Sequence, residues 1–132
     1  MKKVAKLVLF DKDDYYLLLY RSDHPTFGND PDLPGGTLEE GESTVETVIR
    51  EAQEETGIVV PEVEELYAGL EYSIHGTHKS LFLARVADRP DVQLSWEHES
   101  FEWLPRDEFL QKALHANDSY MHMVHAVLSK RL

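Results

Sequence analysis

Ser43 and Glu46 stand three residues apart, and Gly57 follows an apolar periodicity that runs through Val45, Val48, Ile49 and Ala52. The serine–glutamate pair is a capping box, in which two side-chain oxygens satisfy the free backbone N–H groups at a helix start. The glycine suits the left-handed turn that ends a helix. Both ends of one helix are therefore written into the sequence, and its apolar residues at i, i+3, i+4 and i+7 form a single face. Such a face must be covered, and the flanking segments supply the cover. Val4–Phe10 and Tyr15–Tyr20 are apolar and β-prone around an Asp-Lys-Asp-Asp turn signal, which predicts a hairpin. Residues 22–36 are dense in Pro, Gly, Asp and Asn and predict a long irregular loop of the kind that carries function. Strands are expected at Val63–Tyr72 and Lys79–Ala87, joined by a turn at His75–His78, with shorter ones at Val92–Ser95 and Phe101–Leu104. Asp107–Ala113 and Ser119–Arg131 read as helices, the second with Met121, Val124 and Leu128 spaced for burial. The order β-β-α-β-β-β-α-α predicts an α/β fold with a mixed sheet between helices. With 132 residues, no repeat and no linker, it reads as one domain spanning 1–132.

Several function classes are set aside early. The chain has no cysteine, so thiol catalysis and thiolate metal sites are out, which fits a cytoplasmic location. The apolar run near the N-terminus is short, interrupted by Lys6 and closed by Asp11; it reads as a first strand and not as a signal peptide. No apolar stretch approaches the ~20 residues that span a bilayer, so no membrane partner is expected. A net charge of −12 argues against nucleic acid as a partner, since that needs a basic surface.

The charge is also concentrated. Between residues 36 and 65 ten glutamates face one basic side chain, Arg50. At about 100° per residue, Glu51, Glu54 and Glu55 share one arc of the helix that borders its apolar face. Like charges at these spacings destabilise a helix, and carboxylates in its second half oppose its dipole. A solvated acidic surface is the bland explanation. The chemical one is a divalent cation, because hard ions such as Mg²⁺ or Mn²⁺ take carboxylate, water and phosphate oxygens. Broken local rules on an otherwise well-formed element are expected at functional sites.

Gly36, Glu42 and the run Arg50-Glu51-Ala52-Gln53-Glu54-Glu55-Thr56-Gly57-Ile58 resemble the signature of the Nudix (MutT-type) hydrolases at every fixed position. Leu33 stands before Pro34-Gly35-Gly36 where that family often has an aromatic residue. The resemblance implies a Nudix α/β/α sandwich and Mg²⁺-dependent hydrolysis of a nucleoside diphosphate linked to another moiety, with Mn²⁺ as a substitute. It implies that Glu51, Glu54, Glu55 and the Gly35 carbonyl hold the metal, and that Arg50 orients a ligating carboxylate, a role consistent with its i,i+4 relation to Glu54 and Glu46. Gly36, Glu42 and Gly57 belong to the motif around those ligands. The partner would be a small nucleotide, and the reading allows a homodimer. A nucleotide-binding or regulatory module that does not hydrolyse is the alternative, which the intact set of motif carboxylates disfavours.

The family usually adds a later glutamate as ligand or general base. Leu94–Pro105 offers Glu97, Glu99 and Glu102. Its Glu-His-x-x-aromatic-x-Trp pattern resembles the matching loop of diadenosine polyphosphate hydrolases, which favours Glu97 over Glu99. The tyrosine of those hydrolases past the motif falls on His75, and the proline of ADP-ribose hydrolases falls on Ser73. Phe27, Tyr72, Trp96 and Phe101 are candidates for stacking on a base, with Trp103 assigned to the core. Arg21 is a candidate phosphate contact. His122 and His125, like His75 and His78, are read as ordinary imidazoles in preference to zinc ligands.

Overall fold

A computed structural model describes residues 2–22, 29–71 and 76–131. Among these residues seven strands and three helices follow one another: β1 (Lys2–Phe10), β2 (Tyr15–Arg21), β3 (Pro31–Asp32), β4 (Gly35–Thr37), α1 (Thr44–Thr56), β5 (Glu64–Glu71), β6 (Thr77–Arg85), β7 (His98–Pro105), α2 (Arg106–Leu114) and α3 (Ser119–Lys130). β1 is the axis of a mixed sheet. It runs parallel to β6 over its whole length, while its other edge meets β4 at Val4–Lys6 and β2 at Phe10. β5 lies antiparallel outside β6, and β7 and β3 both pair with β2. The expected hairpin, the mixed sheet and the flanking helices are all present.

Burial on both faces explains why β1 and β2 read as nearly unbroken apolar runs. Successive side chains point to opposite faces of a strand. Leu7, Leu9, Leu17 and Leu19 therefore pack with Val48 and Ala52 of α1, whereas Val8, Tyr16 and Leu18 pack with Phe109, Met121 and Val124 of α2 and α3. Helices thus cover both faces of the sheet, which makes an α/β/α sandwich. Among the described residues no helix is long and apolar enough to cross a membrane.

Three expectations are corrected. Val92–Ser95 forms no strand. Its backbone instead serves the end of α1: Gln93 N–H donates to the Thr56 carbonyl and Ser95 N–H to the Glu55 carbonyl, groups that have no partner within the helix. The loop at 22–36 contains two short strands, because β4 finds a free stretch of β1 beyond the reach of β2 and β3 adds to the edge of β2. The apolar face of α1 is rotated from the expected one. Val45 is exposed, while Val48, Ala52, Glu55 and Thr56 are buried. Glu55 therefore lies inside the buried face and not beside it. The ends of α1 are as expected: both capping-box hydrogen bonds form around Ser43 and Glu46, and Gly57 closes the helix at φ 78°.

Candidate active site

α1 presents Arg50, Glu51, Glu54 and Glu55, and of these Glu51 and Glu55 lie against the glycines of β4. Arg50 is the hub. Its Nε and Nη2 hold the two oxygens of Glu42 at 2.7 and 3.0 Å, and its Nη1 reaches Glu51 at 3.0 Å and Glu54 at 3.1 Å. These bonds, with one from the Thr47 hydroxyl, bring the Glu42 carboxyl down to about 2. Glu46, the other neighbour of Arg50 at that spacing, is engaged in the capping box, where its carboxylate accepts from the Ser43 backbone N–H. Glu54 remains exposed, tied to α1 through Arg50.

Glu55 is the anomaly. It is almost fully buried, and among the described residues one backbone donor, Gly35 N–H at 3.1 Å, is directed to it. Burial, a shared hydrogen bond with Glu51 and the charges of Glu51 and Glu97 push its carboxyl up to about 10. A lone carboxylate does not survive in such a place; it takes a proton or a cation.

Two glycines make the approach to these carboxylates close. Gly35 has φ 148°, and a Cβ there would sit 2.3 Å from the Ala5 carbonyl oxygen. At Gly36 a Cβ would lie 3.1 Å from Glu51 Oε1. Gly35→Ala is therefore expected to push β4 off β1 and cost about 1–3 kcal/mol. Thermal unfolding checks this through a midpoint several degrees lower, with activity lost alongside.

A cleft of about 420 Å³ opens over this region. It is lined by Gly35, Gly36, Glu55 and Glu97, and also by Lys2, Lys6, Arg21 and Lys79, so both signs of charge face the same space. A larger, mainly apolar depression of about 630 Å³ lies over Tyr20, Pro31 and Lys112 and contains none of the α1 carboxylates. The smaller cleft is the one that brings carboxylates and basic groups together.

The remaining candidates divide. Glu97 lines the cleft. Glu99 does not: the β2–β7 register slips between Tyr20 and Arg21, which pair with Ser100 and His98, and Glu99 is the extra, exposed residue of that bulge. Glu102 accepts a hydrogen bond from the Tyr20 hydroxyl. Arg21 lines the cleft, but its Nη2 also bonds Asp32 at 3.3 Å and Asp118 at 2.8 Å. Trp96 is exposed, Phe101 less so, and Trp103 packs against the core under α1. Phe27, Tyr72, Ser73 and His75 lie outside the described residues. His122 is bonded to the Ala116 carbonyl.

Sequence reasoning missed the layer beneath the cleft. Asp32 is buried and accepts from Lys6, from Arg21 and from His98 Nε2 at 2.9 Å. Burial by itself would raise its carboxyl, but Lys6, His98 and Arg21 outweigh that and hold it well below the usual carboxylate range. One signal was available. A lysine inside an otherwise apolar strand must either reach water or find a buried anion, and Lys6 finds Asp32.

The chemistry of the donor set fits a hard divalent cation. The Glu51 and Glu55 carboxyls lie beside each other, Glu97 brings a third carboxyl nearby, and glycine backbone lies against both α1 side chains. Among the described residues, no group of three or more His, Asp or Glu side chains already surrounds an ion-sized point. Glu51 and Glu54 point to Arg50 as they stand.

The NUDIX domain profile matches residues 1–124. The asymmetrical bis(5'-nucleosyl)-tetraphosphatase of Caenorhabditis elegans is 31% identical over 121 residues, 86% of each chain. The rat protein of the same name is 37% identical over 86 residues, which are 61% of this chain; the match spans only 58% of that relative's length. The 8-oxo-dGTP diphosphatase of Escherichia coli is 29% identical over 106 residues, 79% of this chain and 81% of its own. Among solved structures, a MutT protein from Methanosarcina mazei superposes with a TM-score of 0.79 at 25% identity, covering 98% of this chain and 94% of that one. A C. elegans Ap4A hydrolase binary complex shares the fold, with a TM-score of 0.75 at 24% identity over 98% and 96% of the two chains.

Proposed function

The chain belongs to the NUDIX family, and from that premise we propose that it hydrolyses a phosphoanhydride of a nucleoside diphosphate linked to another moiety, with Mg²⁺ as cofactor and Mn²⁺ as a substitute. One observation carries the reading: a glutamate raised to about 10 by its burial and by neighbouring carboxyls, at the foot of a cleft that also presents lysines and an arginine. Such a cluster repels itself until a cation enters it, and the basic groups beside it suit phosphate.

Glu51, Glu54, Glu55 and the Gly35 carbonyl would hold the cation. When bound, it neutralises phosphate charge, polarises the scissile P–O bond and favours ionisation of the attacking water. The chain's own groups do the rest. Arg50 gathers Glu42, Glu51 and Glu54, so the acidic side chains keep their order along α1. Lys2 and Lys79 offer positive charge to the phosphate chain, and Arg21 does so while anchored to Asp32 and Asp118. Glu97, in the same cleft, is the group assigned to accept a proton from the attacking water.

A dinucleoside polyphosphate is the preferred substrate, ahead of a nucleoside triphosphate. The support is the likeness to the asymmetrical bis(5'-nucleosyl)-tetraphosphatases and the Glu97-His98-x-x-Phe101-x-Trp103 loop. The test is a panel of bis(5'-nucleosyl) tetraphosphates, nucleoside triphosphates and nucleotide sugars with Mg²⁺, the products separated by chromatography. Unequal cleavage of the tetraphosphate is expected, with Glu54→Gln as the blank. Cleavage of triphosphates alone would reverse the preference, and no cleavage of any member would favour a binding module.

A further inference from the structure

His98 is buried at the first position of β7, directly after Glu97. Its Nε2 lies 2.9 Å from Asp32 Oδ2, and its Nδ1 lies 3.4 Å from Glu55 Oε2. Among the described residues that Nδ1 has no hydrogen-bond partner of good geometry, although the side chain is about 2% exposed. Burying an imidazole nitrogen without a partner is costly, so its place beside a buried carboxyl calls for a reason.

The layer beneath supplies one. Asp32 is held ionised by Lys6 and Arg21 and can only accept. The His98 nitrogen facing it must therefore carry the hydrogen, and in the neutral ring Nδ1 is left as a bare lone pair. Glu55 is thus confined from two sides: Gly35 N–H donates to Oε1, and the His98 ring stands 3.4 Å from Oε2. The bulge at Glu99 contributes as well. It breaks the alternation of β7, and His98 turns inward while Glu99, Ser100 and Phe101 stay exposed.

We propose that His98 is a positioning residue for the reaction proposed above: fixed by Asp32, its ring sets the orientation of the Glu55 carboxyl toward the cleft. The inference rests on the cation-dependent reading of the site and adds to it a part that acts through Glu55 without touching substrate. Partners of this kind typically change metal affinity or activity by about 10–100-fold when removed.

The test joins three measurements on the full chain. Long-range ¹H–¹⁵N correlation on the metal-free wild type should show His98 protonated at Nε2 and bare at Nδ1; protonation at Nδ1 instead would overturn the proposal. Mn²⁺ titration of His98→Leu should show affinity weakened by about 10–100-fold, with kcat reduced and the nucleotide KM little changed. His98→Asn, which returns a polar atom near the Nδ1 position, should recover part of the loss. Wild-type Mn²⁺ affinity and kcat in His98→Leu would overturn the inference alone. A wild-type protein that binds no Mn²⁺ and cleaves nothing would overturn the reading of the site together with it. If His98→Leu does not fold, His98→Asn and the tautomer of the wild type still decide: an unaltered kcat and Mn²⁺ affinity in His98→Asn, coupled to an Nδ1 proton in the wild type, count against.

Discussion

Glu54→Gln is expected to reduce kcat with Mg²⁺ by on the order of 10²–10³, the cost of removing one preorganised charge stabiliser, while the protein folds as before. The expectation follows from where Glu54 stands. It is more than half exposed and reaches the rest of the site through a 3.1 Å bond to Arg50. Pairs of that kind contribute about 0–1 kcal/mol, and glutamine keeps the shape and much of the hydrogen bonding. Stability and activity should therefore separate. Steady-state kinetics on the preferred substrate would show the fall in kcat, and thermal unfolding would show a midpoint within a few degrees of wild type. Equal losses in both would make Glu54 a structural residue. Full activity would remove it from the proposed cation site.

Glu55→Gln should do something less common: abolish activity and stabilise the metal-free protein. A carboxyl ordinarily near 4.5 that is raised to about 10 in the fold withdraws stability as pH rises from the first value toward the second. Below pH 4 the folded and unfolded chains both carry the proton, and nothing is lost. At pH 8 the folded chain still keeps a proton that the unfolded chain gives up, so folding is penalised. Glutamine is neutral throughout and escapes this. The metal-free variant should exceed wild type by about 1–3 kcal/mol at pH 8, and that advantage should fade toward pH 4. Added Mg²⁺ should reverse the order, because a ligand that binds the folded state stabilises only the protein that holds it. Unfolding midpoints at pH 4 and 8, with and without Mg²⁺, check all four corners. A variant less stable than wild type at pH 8 without metal would mean that Glu55 is ionised and well partnered. The trade is the usual one at active sites, where stability is given up for function.

How much could be read before the structure depended on the range of the interaction. α1 was legible to its ends because capping and the closing glycine are local, carried by Ser43, Glu46 and Gly57. The β1–β2 hairpin was legible for the same reason. Val92–Ser95 was misread because an alternating apolar stretch says nothing of its partner, and the partner was the last turn of α1. The burial of Glu55 was hidden for a subtler reason: periodicity placed Val45 on the inner face, but the sheet meets α1 nearer its second half.

Within the candidate site, the α1 carboxylates and the two glycines could be named because they lie close together in the chain. The bidentate grip of Arg50 on Glu42 could not, since it depends on how the loop folds back before α1. Asp32 and His98 are 66 residues apart, and nothing in either neighbourhood points to the other. Lys6 held the one usable clue, a charge in the middle of a strand buried on both faces. That Glu97 lines the cleft while Glu99 stands outside it goes with a single bulge, a feature of register that a period-2 pattern cannot contain.

The central claim is that the crowded glutamates of α1 exist to hold a divalent cation. Electron paramagnetic resonance of Mn²⁺, titrated into the protein with a non-hydrolysable nucleotide present, tests it most directly. The account predicts loss of the free-ion signal as Mn²⁺ binds the wild type, and retention of that signal in a Glu51→Gln, Glu54→Gln, Glu55→Gln triple variant that remains folded. Equal binding by both proteins, or none by the wild type, would contradict it.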